Sequence, residues 1–158
     1  MALPAATRLS APEPGGAVFV QRQTIRFSHC DPAGMVFFPQ YLVLLNGLVE
    51  DWFTLELGID YATLIGQRLV GLPTVSLQCE FAAPSRMGEP VDFSLQVERL
   101  GGRSITLAVA CHGSDGQLRM RLRQVLVSTG RSDDRTIDIP PDVRAAIAHW
   151  QSKRGQQP

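Results

Sequence analysis

The sequence predicts an α+β architecture in which a single antiparallel sheet curls around one long apolar helix. Three observations carry that prediction. A stretch from Gln40 to about Leu57 has helical periodicity with a broad apolar face. Beyond Gly71, four segments read as strands separated by short breaks rich in glycine and proline. One more strand-like segment precedes the helix, and a sheet and a helix that each carry an apolar face must bury them against each other.

In chain order, Met1 to Ala17 contains Pro4, Pro12, Pro14, Gly15 and Gly16 without a continuous apolar run, and reads as a flexible leader (1–17). Val18 to Phe27 carries β-branched and aromatic residues with partial alternation and reads as a first strand. Ser28 to Pro39 holds an Asp-Pro pair and a glycine, which predicts a shaped loop. Tyr41, Leu45, Leu48, Trp52 and Leu55 then recur at spacings of three and four. Leu42, Leu44, Val49 and Phe53 widen this stripe, and Gly58 is available to end the helix. A shorter helix is expected around Tyr61 to Gln67. Strands follow at Thr74–Phe81, Val91–Leu100, Ser104–His112 and Gln117–Thr129. Their breaks at Pro84 and Gly88, Gly101-Gly102 and Gly113–Gly116 predict antiparallel hairpins. In the last strand Leu118, Met120 and Leu122 alternate with Arg119, Arg121 and Arg123, so one face should be wet. Pro141 to Gln151 reads as a short amphipathic helix with Asp142 in its first turn. The expected organisation is one domain over 18–130, followed by a C-terminal extension over 131–158.

Composition narrows the function classes. The 158 residues carry 15 basic and 15 acidic side chains, which removes the electrostatic footprint of a nucleic-acid binder or a polybasic membrane binder. No apolar run is long enough to span a membrane. A 44% hydrophobic fraction fills a sizeable core, while 19% charge lies below the roughly 25% usual for soluble domains. That shortfall points to surface covered by other subunits. Lys153 is the sole lysine and lies in a polar tail, so lysine-based covalent chemistry is nearly excluded. The 3 cysteines Cys30, Cys79 and Cys111 are odd in number and far apart. Neither a disulfide framework nor a zinc site is expected, and a reducing cytoplasm fits best.

The chemistry concentrates in Cys30-Asp31-Pro32-Ala33-Gly34-Met35-Val36-Phe37-Phe38-Pro39-Gln40-Tyr41. Asp31 is an acid among apolar neighbours just before a helix. Pro32 fixes the chain direction, and Gly34 lets backbone approach a ligand closely. Backbone N–H groups around Phe38, at the start of that helix, are unpaired and carry positive partial charge. A carboxylate facing such a donor makes an acyl-transfer site. Asp31 would act as nucleophile or general base, and the Phe38 amide would polarise the carbonyl. One such donor is worth about 3 kcal/mol in the transition state.

This run, set between a first strand and a long apolar helix, closely resembles the 4-hydroxybenzoyl-CoA thioesterase family of hotdog-fold enzymes. Gly71 to Phe81 and Gly102-Arg103-Ser104 resemble that family's following strand and hairpin. The resemblance implies a hotdog domain, paired as a homodimer or a homotetramer, that hydrolyses acyl-CoA thioesters with no metal and no cofactor beyond the CoA of the substrate. It maps the loop aspartate onto Asp31 and the oxyanion-binding amide onto Phe38. It puts Gly34, Phe37, Tyr41, Arg103 and Ser104 at the substrate, with Arg103 matching a phosphate-binding position. Relatives acting on short or aliphatic acyl-CoAs often have histidine where Phe38 stands, so Phe37-Phe38 favours an aryl or bulky acyl group. Asn46 stands where relatives often have an acid, and Gln40 replaces a common asparagine.

Bland readings stand beside these. Asp-Pro commonly starts turns, so Asp31 on its own could be a turn residue. Glu50 is a second candidate acid, outweighed by an exposed, paired role. His29 is favoured as structural, because neighbours on an extended chain point apart. Cys30 has no placed histidine partner and reads as packing, while His112 and His149 read as incidental. Arg119, Arg121 and Arg123 read as a solvated or interface face rather than a phosphate site. Other functions remain in competition: release of an acyl group from a carrier protein, a non-catalytic acyl-CoA-binding hotdog protein, and a dehydratase using His29 and Glu50.

Overall fold

The computed structural model describes residue 9 and residues 15–153. Most of the expected leader and the last residues of the C-terminal extension lie outside the described residues.

Strand β1 (Phe19–Thr24) leads into helix α1 (Phe38–Asp51), followed by the short helix α2 (Tyr61–Gly66) and strand β2 (Val70–Gly71). Strands β3 (Thr74–Phe81), β4 (Pro90–Leu100), β5 (Ser104–Gly113) and β6 (Leu118–Val127) follow. A short β7 (Thr129–Gly130) and helix α3 (Pro141–Ser152) complete the chain. Five strands form one antiparallel sheet in the order β1-β4-β5-β6-β3, and β2 pairs with β7. This is the expected architecture, a sheet wrapped around a long helix. Among the described residues no helix is long and apolar enough to cross a membrane.

Register explains the core. Phe93 stands opposite Cys111 and Cys111 opposite Met120; Leu95, Val109 and Leu122 form the next row. Directly opposed residues point to one face, and these rows are buried against Leu45, Leu48, Val49, Trp52 and Phe53 of the helical stretch. Gln124 interrupts the apolar face of β6 and donates from Nε2 to Thr74 Oγ1 at 2.8 Å. Helix α1 packs on this buried face. Near its start the Phe38 ring meets Phe81 of β3, and at its end Gln21 of β1 donates to Asp51 at 2.5 Å.

Four expectations need correction. The helix begins at Phe38 rather than Gln40, because Pro39 has its φ preset for a first helical turn and needs no N–H there. Its last turn, Trp52–Glu56, is π-helical, and the extra residue per turn rotates the stripe. Leu55, expected on the apolar face, is therefore exposed. Gly58 does end the segment, at φ +67°.

The third correction concerns topology. The break between β3 and β4 is not a hairpin: β3 pairs with β6 on the far edge. The connection 82–89 crosses the ends of β6 and β5 to reach β4, three strand spacings or about 14 Å away. A tight hairpin takes about two to five residues, and this longer connection has the reach to cross. Fourth, the wet face of β6 is a row of ion pairs. Arg119 is buried and pairs with Glu89 and with Asp115, Arg121 pairs with Glu80 directly opposite, and Arg123 reaches Glu98 across β5. Burial of Arg119 is tolerated because Gln117 also accepts from its guanidinium, so each of its three nitrogens has an acceptor.

The C-terminal extension is built into the core. Val143, Ile147 and Trp150 recur on one face of α3 and are buried, with Trp150 edge-on to Trp52 at 5.4 Å between ring centroids. Arg144 donates to the carbonyls of Gly101 and Gly102 at 2.5 and 3.1 Å. Arg68 forks onto the Asp142 carboxylate with two 2.8 Å bonds.

Candidate active site

The loop between β1 and α1 is a small hairpin. Phe37 N–H donates to His29 O at 3.0 Å, Asp31 N–H donates to Met35 O at 2.9 Å, and Cys30 and Val36 form a bridge between them. Its turn follows from four residues. Asp31, Pro32, Ala33 and Gly34 occupy turn positions that favour Asp first, Pro second and Gly fourth. Gly34 N–H donates to Asp31 O at 2.9 Å, and Gly34 adopts φ +76°, which a side chain would strain. Asp31 Oδ1 accepts the Ala33 N–H at 2.9 Å. One carboxylate oxygen thus holds the turn, and Oδ2 has no partner among the described residues.

The Phe38 N–H at the helix start has no partner among the described residues. Phe37 caps α1 with extended backbone and no side-chain acceptor. Pro39 has no N–H, and Gln40 N–H is already bonded to Phe37 O at 2.8 Å. Phe38 N–H is thus an orphan donor of the first turn, at the positive end of a helix of 14 residues. A free carboxylate oxygen and an unpaired amide at a helix N-terminus are the two groups that acyl transfer to water needs.

An aromatic cluster stands beside them. Phe37 meets Phe38 edge-on at 5.6 Å, Phe38 meets Phe81 at 6.2 Å, and Tyr41 lies against Phe81 at 5.8 Å. Phe37, Phe38 and Phe81 are 50%, 58% and 52% exposed, unusual for three adjacent phenylalanines in a monomer. Tyr41 differs: its ring is buried and its hydroxyl donates to Ser85 Oγ at 2.7 Å. Burial, more than any neighbouring charge, pushes the Tyr41 phenol above its ordinary range, so it remains a donor.

Arg103 and Ser104 sit elsewhere. Ser104 begins β5 and closes the Gly101-Gly102 turn, accepting Gly101 N–H on its carbonyl at 2.8 Å. Arg103 pairs with Asp138 at 2.8 Å on the surface. Both lie at the end of β4 opposite to Pro90, while the Asp31 turn is joined to residues 85–87 just before Pro90. Eleven residues of β4 put about 33 Å between the two ends. Asp31, Gly34, Phe37, Phe38 and Tyr41 lie along one hairpin and the first turn of α1, and Arg103 and Ser104 lie at the far end of β4.

The competing groups have visible occupations. Glu50 and Asn46 are exposed on α1. Cys30 Sγ donates to Arg26 O at 3.4 Å. Burial pushes the Cys79 thiol up to about 11 and the Cys111 thiol up to about 12, so neither supplies a thiolate at neutral pH. Among the described residues no cluster of His, Cys, Asp and Glu is arranged to hold a metal ion.

His29 Nδ1 accepts the Arg26 N–H at 3.0 Å. Burial first, and then the nearby Arg26 charge, hold its pKa below the ordinary 6.5. The unfolded chain takes up that proton before the folded one does, so this contribution to stability falls as pH drops below about 6.5. Asn at this position keeps an acceptor without titrating. In urea unfolding at about pH 7.5 and about pH 5.5, His29→Asn is expected to lose less stability on acidification than wild type. Equal losses would assign the acid sensitivity to other groups.

Sequence reasoning missed Phe81 and Ser85, and read as solvated or interface-facing an Arg119 that is buried. Phe81 ends the row Leu77, Cys79, Phe81 of β3, which stands in register with the buried Gln124, Leu122 and Met120 of β6, a signal visible in the alternation. Ser85 had no local signal, since its partner is remote in sequence.

Comparisons with known proteins agree on one family. A family model described as the thioesterase-like superfamily matches residues 14–147. A curated 4-hydroxybenzoyl-CoA thioesterase from Pseudomonas sp. (strain CBS-3) is 26% identical over 129 residues, covering 77% of this chain and 91% of that protein. The solved structure of a gentisyl-coenzyme A thioesterase matches with a TM-score of 0.74 at 26% identity, over 82% of this chain and 99% of that one. A 1,4-dihydroxy-2-naphthoyl-CoA thioesterase from Synechocystis shares the fold, with a TM-score of 0.76 at 20% identity over 83% of this chain and 96% of that one.

Proposed function

This chain belongs to the thioesterase-like superfamily and is a thioester hydrolase; from that premise we propose that it hydrolyses an acyl-CoA, an aryl or similarly bulky acyl group being favoured, with Asp31 as the reacting carboxylate. The observation that carries this reading is the pairing of an uncommitted Asp31 oxygen with the orphan Phe38 amide, on the two ends of one short hairpin. The thioester carbonyl oxygen accepts from Phe38 N–H, which stabilises negative charge as the carbonyl carbon becomes tetrahedral. Either Asp31 attacks that carbon, expelling CoA thiolate and leaving an anhydride that water opens, or Asp31 takes a proton from the attacking water. Both routes consume one water and release a free acid and CoA, and neither draws on a metal or a cofactor.

The exposed phenylalanines support an aryl group, since edge-on aromatic contacts reward a flat ring. They also support a homodimer. Phe37, Phe38, Val43, Val75, Leu77 and Phe81 form exposed apolar surface on α1 and on the edge strand β3, which a second copy would cover. The distance along the sheet gives this weight: a CoA contact from Arg103 to a thioester held at Asp31 would come from the second subunit.

A substrate panel tests the reading. Released thiol is measured with hydroxybenzoyl-CoA, acetyl-CoA and a hydroxybenzoyl group on a carrier protein. The expected result is kcat/KM for the aryl-CoA at least about tenfold above both others. Faster release from the carrier protein would replace CoA as the donor, and ligand binding without turnover of any thioester would refute hydrolysis of these substrates.

A further inference from the structure

The connection 82–89 does more than join two strands. Its middle carries the turn that holds Asp31: Val36 N–H donates to Ser85 O at 2.9 Å, Met35 bridges Arg86, and Met87 N–H donates to Gly34 O at 3.1 Å. Its ends are fixed to the sheet. Ala82 and Ala83 N–H donate to Arg119 O at 2.9 and 3.2 Å, and the Glu89 carboxylate is clamped by the Arg119 guanidinium. The connection is thus a strap from which the Asp31 turn hangs by backbone bonds.

Helix α1, which carries the Phe38 amide, meets this strap differently. Among the described residues, one hydrogen bond joins them, from the Tyr41 hydroxyl to Ser85 Oγ at 2.7 Å. Both residues are sealed from solvent, at 3% and 0% exposure. Tyr41 stands three residues after Phe38, on the same helical face, so its hydroxyl fixes the first turn of α1 against the strap. A buried bond of this kind holds one geometry, because breaking it leaves hydroxyls without water to replace the partner.

We propose that Tyr41 and Ser85 are positioning residues, a latch that sets the spacing between the Asp31 carboxylate and the Phe38 amide. This inference rests on the reading of Asp31 and Phe38 given above. The two hydroxyls are bonded to each other and closed off from solvent. Their effect is on geometry, to which acyl transfer is sensitive, since a displacement of about 1 Å can cost up to about a hundredfold in rate.

The test compares Tyr41→Phe, Ser85→Ala and the double variant, with Asp31→Asn in the same assay. Each single change is expected to lower kcat for the aryl-CoA about tenfold with KM within about twofold. The double variant is expected to lose no more than either single, because all three break one bond. Amide exchange of residues 30–37 is expected to be faster in each latch variant, a readout that does not depend on turnover. A latch with only a structural role would lower the melting temperature and leave kcat of the folded enzyme unchanged. That result, losses that multiply, or unchanged exchange over 30–37 would overturn the proposal. Ser85→Ala removes only one oxygen and keeps the test available if Tyr41→Phe folds poorly. If Asp31→Asn retains turnover, the reading of the site fails and the exchange data alone judge the latch. If Asp31→Asn is inactive while Tyr41→Phe is fully active, the latch alone fails.

Discussion

Asp31→Asn is expected to lower kcat for an aryl-CoA by about a thousandfold or more, while the melting temperature stays close to that of wild type. The two halves of this expectation come from the two oxygens of one carboxylate. Oδ1 accepts the Ala33 N–H and holds the turn, and an asparagine carbonyl can accept the same bond at the same turn position. What asparagine cannot supply is the negative charge that attacks a carbonyl carbon or takes a proton from water. The substitution therefore separates the two roles that a single Asp-Pro turn combines. Thiol release and a thermal melt on one preparation check it. Loss of folding together with activity would return Asp31 to a purely structural role, and so would full activity in a folded variant.

Trp150→Ala is the largest expected effect on stability, about 3–5 kcal/mol. Trp150 is almost fully buried and packs edge-on against Trp52, itself inaccessible at the end of the central helix. Alanine leaves a cavity that neither the π-helical turn nor the β4–β5 hairpin held by Arg144 can fill without moving. For a chain of this length the change corresponds to a melting temperature lower by about 10 °C. Denaturant unfolding at 25 °C measures it directly. A loss below about 1 kcal/mol would mean that α3 is a dispensable cover rather than part of the core.

Legibility in the sequence followed the range of the interaction. Local patterns read well. Tyr41, Leu45, Leu48 and Trp52 announced a buried helix through spacing alone, and Asp31-Pro32-Ala33-Gly34 announced a turn whose every position has a stated preference. Alternation in Leu118 to Arg123 gave the correct inward face of β6. Partners separated by long stretches of chain did not read. Nothing near Thr74–Phe81 says that it pairs with β6 rather than with the next strand. That choice depends on where the connection 82–89 can be anchored, and the anchor is an arginine thirty residues beyond Glu89.

The same limit shaped the reading of the site. Asp31 and the helix start were legible as neighbours because both belong to one short stretch of chain, whereas Ser85 was not, its partner Tyr41 being on another element. Arg103 was legible as a residue type beside a strand, but its place at the far end of the sheet depends on the register of β4 against β5. Leu55 was misplaced for a local reason: a π-helical turn breaks the 3.6-residue period on which the expectation was built.

The most direct test of Asp31 as the reacting carboxylate is a single-turnover measurement with enzyme in excess of hydroxybenzoyl-CoA, followed by mass spectrometry of the bound ligand. Wild type is expected to hold free acid and CoA once the reaction has run. Asp31→Asn is expected to retain the intact thioester, bound about as tightly as wild type binds the products. A variant that binds the thioester and empties it at the wild-type rate would contradict the assignment.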